Sequence, residues 1–160
     1  GLAGTAGEAG HMIVQPGGRS CPCGNHGCLE QYISEPAVLS RYRELSGRTT
    51  VSIDDLVWAY NQKETAALAV TDEFTTYLAC GINNLWNLFS PECIILNCQL
   101  TAYLPQLLPE ILQKLSPRFR ATCQLKLSTL QDTGVLLGAA RVCISKYLGI
   151  EKLYFSGFQP

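Results

Sequence analysis

Cys21-Pro22-Cys23-Gly24-Asn25-His26-Gly27-Cys28 places three thiols within one short loop, with His11 upstream of them. Three soft sulfurs and one imidazole make a tetrahedral zinc set, and Gly24 and Gly27 let the backbone wrap tightly enough to aim the sulfurs inward. The spacing differs from the commoner C-x2-C knuckle and so points to a narrower group of proteins. Two cysteines one residue apart do not easily bridge each other, which weighs against a disulfide. Two imidazoles compete for the fourth ligand position: His11, and His26 inside the cysteine loop. Residues 11–28 are thus expected to form a loop closed by one structural zinc ion.

Composition bounds what surrounds this loop. With 160 residues, 47% of them apolar and 16% charged, the chain is long enough for one globular domain with a sizeable core. A net charge of −1 gives no electrostatic reason for this segment to bind nucleic acid, and disfavours a zinc-ribbon nucleic-acid module. No apolar run reaches membrane length; Tyr77–Phe89 is interrupted by Asn83, Asn84 and Asn87. The small residues of the opening lack the basic start of a secretory signal. The remaining cysteines (Cys80, Cys93, Cys98, Cys123, Cys143) lie in apolar segments and read as reduced core residues, which points to a cytoplasmic protein. The chain has no initiator Met and opens on Gly1-Leu2-Ala3-Gly4-Thr5-Ala6-Gly7, a loop entered mid-course, so a fragment is expected.

Outward from the metal loop, Met12–Gln15 reads as a short strand closed by Pro16-Gly17-Gly18, and Leu29–Ile33 as the start of a helix. Ser34 caps a second helix that carries Pro36 near its start and ends at Ser46-Gly47. Ser52 followed by Asp55 resembles a capping box. Lys63 to Phe89 carries Ala67, Val70, Phe74, Leu78, Leu85 and Phe89 at helical spacing, a long helix with one buried stripe. Cys93–Leu96 follows as an apolar strand, then Leu104–Leu115 as a helix in which Pro109 kinks or delays the start. Ala121–Ser128 reads as a strand and Thr133–Tyr147 as a last helix. Strand, helix, strand, helix implies an α/β layered fold with parallel pairing.

Glu8 and Glu30 flank the metal segment. Carboxylates accept hydrogen bonds from hydroxyls, the way polyol ligands are commonly held, and the Gly-rich Gly1–Gly7 would let backbone approach such a ligand. The plainer alternative makes Glu8 a solvated loop acid and Glu30 a charge favouring a helix N-terminus.

Gly7-Glu8-Ala9-Gly10-His11, followed by Cys21-Pro-Cys23-Gly-Asn-His-Gly-Cys28-Leu29-Glu30, resembles the signature of the ROK family of repressors, open reading frames and sugar kinases. Weaker agreement continues through Cys93–Leu96 to Gly134–Ala140. The resemblance implies an actin/hexokinase-like (ribonuclease H-like) α/β ATPase fold, of which residues 1–160 correspond to the C-terminal sugar-binding effector half with an inserted zinc loop. It makes His11, Cys21, Cys23 and Cys28 the zinc ligands and assigns Glu8, His11 and Glu30 to sugar hydroxyls, His11 serving both through its two ring nitrogens. Zinc with four protein ligands is structural, having no open position for a reactive water. Ala9 stands where the family usually has Ile or Leu, a change of packing that leaves the site intact. The DNA-binding domain and the first lobe would lie upstream, and homo-oligomers are common in the family.

The family divides into ATP-dependent sugar kinases and sugar-sensing repressors. A kinase needs a phosphate-cradling loop and an Asp base ahead of the sugar motif. Asp54, Asp55, Asp72 and Asp132 all follow that motif. Kinases of the family also carry a Gly-rich turn after the strand at Ile94-Ile95-Leu96, where this chain has Asn97-Cys98-Gln99-Leu100, whose side chains would occupy the nucleotide's space. That departure resembles the xylose- and N-acetylglucosamine-repressor branch. The expectation is a non-enzymatic repressor effector domain that binds a sugar or sugar phosphate, holds zinc, and reaches DNA only through an upstream domain. The alternative is the C-terminal half of a hexose or N-acetylhexosamine kinase.

Overall fold

The computed structural model describes residues 7–130 and 133–149. The opening Gly1–Ala6, Asp132 and the aromatic tail Tyr154–Pro160 lie outside the described residues. Beyond the metal loop, α1 (Glu30–Ile33) runs into α2 (Glu35–Ser46). Ser34 separates them: its extended backbone ends the first helix, and its hydroxyl accepts from the Ala37 N–H at 3.4 Å to cap the second. Gly47, in the left-handed region, closes α2. α3 (Ile53–Asn61) starts with the expected capping box: Ser52 Oγ accepts from the Asp55 N–H at 3.2 Å, and Asp55 Oδ2 accepts from the Ser52 N–H at 2.8 Å.

α4 (Thr65–Phe89) is the axis of the molecule. Ala67, Val70, Phe74, Leu78, Ile82 and Trp86 form its buried stripe, and α1, α2, α3 and α6 (Leu107–Lys114) all pack on it. The stripe departs from expectation at its end, where Phe89 is exposed and Trp86 takes the buried place. Trp86 meets Phe119 edge to face with ring centroids 5.8 Å apart, and Leu104, Leu107, Ile111 and Leu115 complete the core. The buried hydroxyls of Thr71 and Thr75 donate to carbonyls within the same helix, so the core holds no orphaned side-chain polar atom among the described residues.

The second half runs β1 (Cys93–Leu96), α5 (Gln99–Tyr103), α6, α7 (Pro117–Thr122), β2 (Gln124–Leu127) and α8 (Thr133–Leu148). β1 and β2 pair in parallel, from Cys93 opposite Gln124 to Leu96 opposite Leu127, as the strand–helix alternation implies. Several expectations need correction. Met12–Gln15 is not a strand; it contributes one bridge, Ile13 to Cys28, and otherwise bonds to the metal loop. The helix expected from Leu104 starts at Leu107, because Pro109 is tolerated only in a first turn, where its missing N–H has no helical partner to lose. The strand expected from Ala121 begins at Gln124, its first residues belonging to α7. β1 is apolar yet half-covered, with Ile95 65% exposed and Ile94 turned to the core. Of the five cysteines outside the metal loop only Cys123 is buried, while Cys93 and Cys143 are exposed. No helix among the described residues is long and apolar enough to cross a membrane.

Candidate metal centre

The chain enters the site through a single 3-10 turn, Ala9–His11, in which the His11 N–H donates to the Glu8 carbonyl at 3.0 Å. It then runs antiparallel to the far end of the cysteine loop. The Val14 and Gln15 N–H groups both donate to the Gly27 carbonyl, at 2.9 and 3.2 Å, and Leu29 N–H donates to the Met12 carbonyl at 2.8 Å. Within the loop, Cys21 N–H donates to the Asn25 carbonyl and Gly24 N–H to the Cys21 carbonyl, turning the chain between the first and last sulfurs. Gly27 makes the crossing possible. Its φ is +82°, and a Cβ there would lie 1.7 Å from the Gln15 carbonyl oxygen.

This backbone gathers His11, Cys21, Cys23 and Cys28 so that one ligand atom from each lies within 4.8 Å of all the others. His11 Nδ1 is 3.6 Å from Cys21 Sγ, and Cys23 Sγ is 3.6 Å from Cys28 Sγ. A tetrahedral ion about 2.3 Å from each sulfur separates its ligand atoms by about 3.7 Å, so the donor set fits a metal ion by spacing as well as by type. His26, the competing imidazole, is exposed, pairs through its backbone with Ser20 and stands outside the cluster.

The thiols have divergent proton affinities while no metal is bound. Burial, together with the Cys21 and Cys23 sulfurs, pushes the Cys28 thiol up to about 12. The backbone N–H of Asn25, with the neighbouring Cys21 sulfur second, holds Cys23 below the ordinary thiol range. A dication resolves this conflict because it favours three thiolates at once.

Glu8 and Glu30 both lie against the His11 ring. Glu30 Oε2 is 3.8 Å from Nδ1, on the sulfur side, and Glu8 Oε2 is 3.9 Å from Nε2. Both gaps exceed hydrogen-bonding range and leave the carboxylates open to a third group. Glu8 and His11 line a cleft of about 620 Å³ with Met12, Leu85 and Phe89. Glu30 lines another of about 400 Å³, with Ser34, Glu35, Ile53, Asn97 and Gln99. The three expected ligand-contacting residues therefore meet at one imidazole while facing different clefts.

Spacing alone did not reveal what fastens this site to the helices. Arg19, inside the loop, donates from Nη1 to the Gln31 carbonyl at 2.8 Å, from its backbone to the Tyr32 hydroxyl at 3.0 Å, and from Nη2 to Glu73 on α4. Glu73 also accepts from Arg41 of α2, and Tyr32 stacks on Tyr77 with centroids 3.9 Å apart. Gly81 has no side chain where Leu29 packs; a Cβ there would be 2.5 Å from a Leu29 methyl. The lone Arg between a Gly-rich turn and the first cysteine was the available signal for this anchor.

The chain thus combines a three-cysteine, one-histidine cluster that could hold a metal ion with an α/β part whose two strands are parallel. The ROK family model matches residues 1–146, and the chain belongs to that family. It is 31% identical to the xylose repressor of Bacillus spizizenii over 157 residues, covering 96% of this chain and 40% of the repressor. Among solved structures it is similar to a ROK hexokinase from Thermus thermophilus, with a TM-score of 0.71 and 25% identity over 89% of this chain and 50% of that one. It is similar also to a ROK family transcriptional regulator that is a homolog of the E. coli MLC protein, with a TM-score of 0.70 and 28% identity over 91% and 40%. These likenesses bear out the expected actin/hexokinase-like fold. The chain spans about two fifths of the xylose repressor it matches.

Proposed function

We propose that this chain is the sugar-sensing effector segment of a ROK-family transcriptional repressor, corresponding to the C-terminal half of its relatives, with zinc as the bound metal. The zinc is structural, held by His11 through Nδ1 and by Cys21, Cys23 and Cys28. With Nδ1 on the metal, His11 Nε2 keeps its proton and donates to a ligand oxygen, while the Glu8 and Glu30 carboxylates accept from sugar hydroxyls. The ion's task is to fix that imidazole between the two acids. In this reading the protein is cytoplasmic and self-associating, and it reaches DNA through a domain outside this chain.

One observation carries the choice of sensor over kinase. α5 follows the carboxyl end of β1 after Asn97-Cys98, packs against α3 and buries Leu100 and Thr101. Asn97, Cys98 and Gln99 of this segment line two clefts, one of about 100 Å³ that they share with Ser128 and the one of about 400 Å³ that they share with Glu30. In α/β folds this end of the strands is where a nucleotide would lie, and the reading rests on the side chains of Asn97-Cys98-Gln99-Leu100 standing there in place of a Gly-rich turn. The second reading, half of a sugar kinase, draws on the likeness to the Thermus hexokinase. Calorimetry separates the two: D-xylose, D-glucose or N-acetyl-D-glucosamine should bind while Mg²⁺·ATP gives no heat. A micromolar ATP affinity would move the assignment to the kinase.

A further inference from the structure

We propose that Gln31 is a positioning residue of the metal centre, its side-chain amide donating to the Cys21 sulfur and setting how much charge that sulfur presents to the ion. The inference rests on the metal reading above and adds a residue outside the ligand set. Gln31 Nε2 lies 3.6 Å from Cys21 Sγ, within range of an N–H to sulfur hydrogen bond. Cys21 is buried, so the sulfur depends on protein groups for hydrogen bonds.

The backbone that presents this amide is itself held. Gln31's own N–H donates to the Cys28 carbonyl at 3.0 Å, and its carbonyl accepts from Arg19 at 2.8 Å, so the peptide is bonded into the loop at both ends. Arg19 is fixed in turn by Glu73 and by the Tyr32 ring, 4.5 Å from its guanidinium carbon. A chain of contacts from α4 therefore fixes the peptide from which the donor reaches Cys21.

The charge pattern explains why an amide suits this place. Three thiolates around a dication leave one net negative charge, and Glu8 and Glu30 add more beside His11. An uncharged N–H dipole lowers the electron density on one sulfur without a counter-charge that must itself be desolvated. A carboxylate of the same shape would turn an acceptor toward an acceptor.

Cobalt(II) is the probe, because its sulfur-to-metal charge-transfer band reports on the electron density of the thiolates. Gln31→Met keeps the length of the side chain and removes the donor; Gln31→Glu keeps its shape and reverses its polarity. The charge-transfer band of Gln31→Met should move to longer wavelength, and its cobalt and zinc affinities should fall about tenfold to a hundredfold. Gln31→Glu should fall further. Circular dichroism of the metal-loaded variants checks that the helices persist, and Gln31→Glu stands in if Gln31→Met loses them. Unchanged band position and affinity in both variants would overturn the role of Gln31 while leaving the metal site standing. Absence of a tetrahedral cobalt spectrum in the unsubstituted chain would remove the metal reading, and this inference with it.

Discussion

Replacing Gly27 by Ala tests the metal loop most sharply, because two separate effects fall on one atom. The residue sits at φ +82°, where a Cβ strains the backbone by about 1–2 kcal/mol. That Cβ would also lie 1.7 Å from the Gln15 carbonyl oxygen, far inside contact distance. The oxygen has little freedom to retreat, since it accepts from the Gly18 N–H at 2.9 Å, while Val14 and Gln15 are bonded to the Gly27 carbonyl. Relieving the clash disrupts two or more of these bonds, each worth about 1 kcal/mol. Loop closure and metal binding are one equilibrium, so a total of about 3 kcal/mol or more appears as at least a hundredfold weaker zinc binding. Gly24 is the control: its φ is +94°, yet its Cβ would meet nothing within 4 Å, so Gly24→Ala should lose only about tenfold from strain. Competition against a chromophoric chelator at fixed pH measures both. Equal losses at the two glycines would refute the steric argument, as would a Gly27→Ala chain that binds zinc like its parent.

His11→Ala should abolish tight zinc binding and His26→Ala should leave it intact, read by metal content after dialysis; the opposite result would transfer the ligand role to His26. Phe119→Ala, removing a fully buried ring that meets Trp86, should destabilise the chain by about 3–5 kcal/mol in urea denaturation. Asp55 is held below its ordinary carboxylate range, first by the Ser52 hydroxyl and then by the Ser52 N–H. Its contribution is therefore whole above about pH 4 and lost as pH falls through the lowered value. The urea midpoints of Asp55→Ala and its parent should differ at pH 7 and converge in acid. Tyr60, desolvated and donating to Glu110 at 2.9 Å, is pushed up to about 12. Here the sign reverses: the contribution is whole below the ordinary tyrosine range and fades as pH climbs through about 12. Tyr60→Phe should remove one phenolate that titrates near 12 from an alkaline absorbance titration.

The parts legible in the sequence were those whose cause is local. A cap needs only its own first turn, so Ser52 with Asp55 announced α3 and Ser34 announced α2. The ligand set was visible because Cys21, Cys23 and Cys28 are close along the chain, whereas the choice of His11 over His26 needed either the family signature or the fold. α7 carried a usable sign in Ser116-Pro117, where the Ser116 hydroxyl accepts from the Phe119 N–H at 3.1 Å, masked by reading the chain from Ala121 onward as strand. α5 had no such sign, since Cys98 gives it no side-chain cap and it forms by burying Leu100 and Thr101 on distant residues. The apolar face of β1 and the scattered cysteines misled for one reason: hydrophobicity states what a residue favours and says nothing of which neighbour lies opposite.

One turn of α4 is gripped from two directions. Glu73 takes Arg19 and Arg41, while Lys114 of α6 donates to the Asp72 carbonyl, Thr75 and Thr76 within 2.9 Å. At about 1.5 Å per residue, the helix extends roughly 20 Å beyond this grip to Phe89. The turn is a fulcrum with a long arm on that side. A tilt of about 5° imposed where the metal loop is fastened would carry the Phe89 end through nearly 2 Å, a displacement comparable to the helix shifts by which packed proteins change state.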